Sequence, residues 1–381
     1  MGTTAELLTE VGALLGKEVT LERYLGRKGR AIVARLRLDT GETVVVKGPL
    51  RPVADGGAST GAWSPVDRFR NEVAALSTLG GAGGIVPTLV AVDHDHMWMV
   101  LEDLGETRSL ADALLNRDPV SAIEAISAWA SALGQLHRLS ADPVTMSRWE
   151  SERSALGGLP PQESAVFVLS SAGPQLADLV SGLGHAESAA LEIDRRLSDR
   201  RWWAMTPRDA CPDNCAIKED GSAVLFDFEG GGIRHSLLDA AYLVATFPTC
   251  WCTGDLPAQA REAGLHAYRD AAGWLFEDFE TNLAAAAAFH GLWVLGSSRF
   301  ADALSESGGR GWYWEEVGFD IPSPRQIVAL ALDDLERAVE GDNALESLGD
   351  LARSLRTALV ERWGNLELPL PHPAFDVSEQ D

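Results

Sequence analysis

Positive charge is scarce in this chain: 32 Lys and Arg stand against 56 Asp and Glu over 381 residues, a net charge of −24. Such a surface repels phosphate backbones, so nucleic-acid binding is not expected. It keeps a protein in solution, and it attracts cationic ligands such as polyamines or amino sugars. Cysteine is also scarce, with only Cys211, Cys215, Cys250 and Cys252. Their C-x3-C and C-x-C spacings differ from the usual zinc knuckle, so they are expected to be reduced thiols packed as small hydrophobes. No stretch reaches the roughly 18 apolar residues of a membrane span. The most apolar run, Leu283 to Gly296, is short and contains His290. Glu6 and Glu10 interrupt any basic-then-apolar leader pattern, so a cytoplasmic location is expected.

What is present is ordinary globular material: 46% hydrophobic and 23% charged residues, enough for one large domain or two lobes. Apolar spacing behind a threonine predicts a helix over Thr4–Leu15. Strands are predicted at Val19–Leu25, Ala31–Leu38 and Thr43–Lys47, with Leu38 to Gly41 as the turn between the last two. Gly26 and Gly29, among Arg27, Lys28 and Arg30, form a basic loop that could approach phosphates or serve as a plain hairpin tip. A helix follows over Val66–Leu79, closed by Gly80-Gly81. Two more strands fit Thr88–Val92 and Met97–Leu101. From Leu110 the pattern is mainly helical, with a clear helix over Ser121–Leu139 and a mixed segment at 201–235. After Asn365 the proline-rich, acidic tail is expected to be frayed or disordered.

The informative stretch is 206–229. Asp220-Gly221 signals a two-residue type I′ hairpin. Centred there, the register pairs Ile217 with Val224, Cys215 with Phe226 and Asn214 with Asp227. Cys215, Ile217, Val224 and Phe226 then share a buried face. Asn214 and Asp227 become cross-strand neighbours, roughly 5 Å apart at Cβ. An amide oxygen and a carboxylate that close can share a hard cation such as Mg²⁺. Asp209 sits five residues before Asn214, at the mouth of the hairpin, with Pro212 stiffening the loop between. Phosphoryl transfer needs this set: metal to screen phosphate oxygens, a carboxylate to orient and deprotonate the acceptor hydroxyl, and a cation on the other phosphates. Lys47, closing Val44-Val45-Val46-Lys47, is the candidate cation, and Glu72 on the following helix is its candidate ion-pair partner.

In this order the motifs resemble the aminoglycoside-phosphotransferase and choline-kinase branch of the protein-kinase-like fold. Lys47 and Asn71-Glu72 match the lysine strand and its helix partner. Asp209-x4-Asn214 matches the catalytic loop, and Asp227-Phe228-Glu229 the metal-binding segment. Gly134-Gln135-Leu136-His137 is similar to the helix before the catalytic region. The resemblance spans roughly residues 20–245. It implies that Met99 to Gly105 is the hinge, with the backbone of Glu102 and Leu104 bonding adenine, and that Asp239 braces the catalytic loop. One departure stands out: the family's His-Gly-Asp is here Pro207-Arg208-Asp209.

The expected architecture is α+β and bilobal. A small antiparallel sheet lobe spans 1–103, a larger mostly helical lobe 104–365, and a tail 366–381. The expected chemistry is ATP- and Mg²⁺-dependent phosphorylation of a hydroxylated, cationic small molecule such as an aminoglycoside or amino sugar. Asp278, Glu280, Glu315, Glu316 and Asp320 would supply acidity, and Trp202, Trp203, Trp251, Trp312 and Trp314 are candidates to stack on sugar rings or to fill the core. Two other readings are a kinase of a peptide or natural-product intermediate, and a nucleotide-binding regulator without catalysis.

Overall fold

The structure is a computed structural model describing residues 4–26, 31–49, 64–157, 164–181, 183–273, 277–314 and 319–376. The basic loop at 27–30 lies outside them, as do Glu315 and Glu316. The chain opens with α1 (Thr4–Leu15), β1 (Val19–Gly26), β2 (Ala31–Leu38), β3 (Thr43–Pro49), α2 (Pro65–Leu79), β4 (Leu89–Asp93) and β5 (Trp98–Glu102). The five strands form one antiparallel sheet in the order β1-β2-β3-β5-β4.

Strand alternation decides which residues reach the cleft. Ile32, Ala34, Leu36, Val44, Val46, Trp98 and Val100 bury one face against Leu7 and Val11 of α1. The Trp98 indole donates to Glu10 at 2.6 Å, seating that helix. Val45, Lys47, Met99 and Leu101 alternate with them, so Lys47 points to the opposite face, toward α2. Helix α2 starts at a sequence-encoded cap. Ser64 accepts from the Asp67 N–H, Pro65 fills the first helical position, and Gly80 in the left-handed region ends it.

The helical lobe continues with β6 (Arg108–Ser109), α3 (Leu110–Leu115), α4 (Pro119–Ser140), α5 (Pro143–Ala155), α6 (Ala165–Ala177) and α7 (Leu183–Leu197). A strand-rich insert follows: β7 (Trp203–Thr206), β8 (Cys215–Ile217), β9 (Ala223–Leu225) and β10 (Gly232–His235). Then come α8 (Leu237–Ala240), α9 (Ala258–Ala272), α10 (Phe279–Gly296) and α11 (Ser298–Leu304). The last elements are β11 (Trp312–Trp314), β12 (Phe319–Ile321), α12 (Pro324–Ala338) and α13 (Glu346–Trp363). Among the described residues no helix is long and apolar enough to cross a membrane.

Helices α4 and α9 pack so closely that a Cβ on Gly134 would lie 2.5 Å from the Tyr268 carbonyl oxygen. Only glycine fits there. The close approach brings His137, one turn on, within 2.9 Å of the Tyr268 hydroxyl and 3.3 Å of Asp239.

Three expectations are corrected. Cys211 and Cys250 are joined in a disulfide, with their Cα atoms 5.6 Å apart; only Cys215 and Cys252 are buried thiols. The tail is packed as far as Asp376: buried His372 contacts the carbonyls of Cys252 (2.8 Å) and Asp255 (3.3 Å), and Pro371 bridges to Asp255. Residues 377–381 lie outside the described residues. The third correction is the register of the β8–β9 hairpin.

Candidate active site

In that hairpin the register is Cys215 to Leu225, Ala216 to Val224 and Ile217 to Ala223, one residue away from expectation. Lys218 N–H bonds Ser222 and Gly221 N–H bonds Lys218, so three residues, Glu219 to Gly221, make the turn, with Gly221 at φ 81°. Asp220 caps it by accepting from the Ser222 N–H and hydroxyl. The cross-strand face is therefore Cys215, Ile217, Ala223 and Leu225, and the opposite one, with Val224, is buried too. Asn214 faces Phe226, whose N–H it accepts at 3.1 Å, not Asp227. Asp227 lies one residue beyond, with φ 64° and ψ 59°. This left-handed conformation is costly for a non-glycine residue, and it turns the carboxylate out of the strand.

It turns toward Lys47. The Lys47 ammonium lies 2.7 and 2.9 Å from the Glu72 carboxylate and 2.5 Å from Asp227. Burial works against the charged Lys47, but Glu72 and Asp227 outweigh it and hold its pKa above the ordinary lysine value. Burial pushes Glu72 up to about 7 against the pull of Lys47, with Asp227 adding to the rise. Asn71, one residue before Glu72, donates to the carbonyls of Phe228, Glu229 and Gly231 and so ties α2 to the turn carrying Asp227. Arg68 pairs with Glu229 across the same gap. A small pocket here is lined by Lys47, Arg68, Phe69, Glu72, Met99 and Glu229, among others.

Glu102 and Leu104 sit at the end of β5. The exposed Glu102 carboxylate accepts from the Thr88 N–H at 3.1 Å. The Leu104 N–H makes no backbone hydrogen bond to any described residue. Asp103 between them is held by buried Arg35 at 2.8 Å, which also reaches Glu106 and the Gly105 carbonyl and so shapes the segment.

Asp209 is half-buried. Its Oδ1 accepts from the Thr249 hydroxyl at 2.7 Å. Burial raises its pKa above the ordinary carboxylate value; Thr249 opposes the rise, while Asp213 and Asp227 add to it. Asn214 donates its amide to the Asp209 carbonyl at 3.0 Å, leaving its side-chain oxygen as the atom it offers a cation. Asp213 is a carboxylate that the motif reading passed over. Burial raises its pKa, opposed by a 2.8 Å hydrogen bond from the Trp251 indole. It stands beside Asn214 in the sequence and could have been counted. Asn214 and Asp227 offer an amide oxygen and a carboxylate, hard donors of the kind Mg²⁺ takes. Cys211 and Cys250, though close to Asp209, are bonded to each other and cannot act as thiolate ligands.

The model for the phosphotransferase enzyme family matches residues 36–277. The chain belongs to this family. Among solved structures of the same fold, a putative fructosamine-3-kinase from Thermobifida fusca is 18% identical, at a TM-score of 0.50 over 94% of this chain and 99% of that one. A choline/ethanolamine kinase family protein from Mesorhizobium loti is 14% identical, at a TM-score of 0.51 over 93% and 99%. No curated protein matches the chain. The chain is thus a phosphotransferase of protein-kinase-like fold.

The family's His-Gly-Asp has a physical counterpart here. Arg208, at the glycine position, has φ 69°, the conformation glycine adopts freely. Arg234 braces the loop instead of a histidine: it donates to the Arg208 carbonyl at 3.1 Å and to fully buried Asp239 at 2.6 Å.

Proposed function

We propose that the protein transfers the γ-phosphoryl group of ATP, with Mg²⁺, to a hydroxyl of a cationic small molecule such as an aminoglycoside or amino sugar. The observation that carries this reading is the Lys47–Glu72–Asp227 cluster, in which three segments far apart in sequence meet beside Asp209 and Asn214. The nucleotide lies between residues 1–103 and 104–365, its adenine against the Glu102 and Leu104 backbone. Lys47, oriented by Glu72, contacts the α- and β-phosphates. Asp227 and Asn214 hold Mg²⁺, which neutralises the phosphate oxygens when bound. Asp209 accepts the acceptor's hydroxyl proton. The alkoxide oxygen bonds the γ-phosphorus, and the bond to the bridging oxygen breaks with its electron pair leaving on ADP.

The cationic class is supported by the carboxylates Asp209, Asp213 and Asp227 around one site. Residues farther off lend it less. Asp278 and Glu280 are already paired with Arg201 and Arg269, at 2.9 Å each. Trp202 is fully buried, and Trp203 donates to the Leu197 carbonyl under Arg200. Trp251 packs against Phe319 and donates to Asp213, which makes it the tryptophan that supports a ring-stacking role; the side chains of Trp312 and Trp314 lie outside the described residues. A panel of amino sugars, amino alcohols, neutral sugars and anionic alcohols, each with Mg·ATP, is expected to give phosphorylated product with amine-bearing acceptors. Turnover confined to neutral or anionic acceptors would remove the charge argument.

A further inference from the structure

Asp209 is gripped by a segment that no motif marks. The Thr249 hydroxyl lies 2.7 Å from Asp209 Oδ1 and 2.8 Å from the hydroxyl of fully buried Tyr242. An ionised carboxylate only accepts, and a threonine hydroxyl has one proton. Thr249 therefore donates to Asp209, and the Tyr242 hydroxyl stands behind the pair, 3.3 Å from the Arg208 carbonyl and 3.5 Å from Asp209 Oδ1. Both contacts fall on Oδ1, so Oδ2 is the oxygen available to take a proton.

Thr249 is itself fixed from several sides. The Arg299 guanidinium donates to the carbonyls of Pro248 (2.7 Å) and Thr249 (2.5 Å). Cys250, the next residue, is bonded to Cys211, two residues from Asp209. Thr246 and Phe247, just before, both have positive φ, at 44° and 57°. Two adjacent non-glycine residues stay in that region only when their surroundings over-determine them. Here Thr246 bonds buried Asp334 at 2.9 Å, and Thr253 bonds the Thr246 carbonyl at 2.8 Å.

We propose that Thr249 is a positioning residue for Asp209: its hydroxyl fixes the rotation of the carboxylate so that one oxygen is always presented to the acceptor. The inference rests on the reading of Asp209 as the proton acceptor, and the test separates the two. Steady-state ADP release from Mg·ATP is measured with water as the acceptor, on the full chain, for wild type, Thr249→Val, Thr249→Ser and Asp209→Asn. A carboxylate free to rotate loses its reacting geometry, so Thr249→Val should lower kcat by about 100-fold. The KM for Mg·ATP should stay within about two-fold, because no nucleotide contact is removed. Thr249→Ser, which restores the hydroxyl, should recover kcat to within about three-fold of wild type. Loss in Asp209→Asn with full kcat in Thr249→Val would overturn the positioning role alone. Failure of Thr249→Ser to recover kcat would overturn it too. Wild type no faster than Asp209→Asn would overturn the assignment of Asp209.

Discussion

Asp209→Asn should lower kcat by about a thousand-fold, within the range a positioned general base contributes, and leave the KM for ATP almost unchanged. Asparagine has the same size as aspartate, and its carbonyl oxygen can still accept the Thr249 hydroxyl at Oδ1. The backbone carbonyl that holds Asn214 is untouched. The fold and the nucleotide contacts are therefore kept, and what is lost is the oxygen that takes the proton. Burial and two neighbouring carboxylates raise the Asp209 pKa, which makes the carboxylate a stronger base than an exposed aspartate would be. Product formation with a genuine acceptor, followed by 31P NMR, measures the loss. A kcat near wild type would remove Asp209 from the mechanism.

Replacing both Cys211 and Cys250 by serine should cost about 4 kcal/mol of stability by the chain-entropy estimate, because the bridge closes a loop with a sequence separation of 39. The unfolding midpoint should fall by roughly 5–10 °C, and activity with it, because the bridge joins the segment bearing Asp209 to the one bearing Thr249. Calorimetry with and without a dithiol reductant gives the same comparison on the natural chain. Cys215 and Cys252 are buried and separate, so thiol counting should find two thiols in the unfolded, unreduced chain and four after reduction. Four thiols before reduction, or an unchanged midpoint in the double variant, would contradict the assignment.

Much of this was legible in the sequence where one short-range rule governs. Helix α1 has the bounds that its threonine and apolar spacing set, and the strands of the large sheet agree to within two residues. Lys47 and Glu72 could be named because a strand ending and a helix turn are local patterns, and they do meet at 2.7 Å. The β8–β9 register was not legible from Asp220-Gly221, because the same dipeptide also closes a three-residue turn with glycine last. The hairpin at Leu38 to Gly41 has that form too, with Gly41 N–H bonding Leu38 and Leu38 N–H bonding Glu42. One residue of register moved Asp227 out of the strand, and its turned backbone delivers it to Lys47. Thr249, Tyr242 and Arg299 reach Asp209 only through tertiary packing, from 33 or more residues away. The disulfide is of the same kind: spacing along the chain says nothing about which two sulfurs meet.

If Lys47 takes the phosphates and Asn214 and Asp227 take the metal, ATP binding should depend on Mg²⁺. Calorimetric titration of ATP, with and without Mg²⁺, into wild type and Asp227→Asn tests it directly. The expected result is a gain in ATP affinity of about ten-fold or more with Mg²⁺ in wild type, about 1.4 kcal/mol, and little or no gain in Asp227→Asn. ATP binding that ignores Mg²⁺ in wild type, or a full Mg²⁺ gain in the variant, would contradict it.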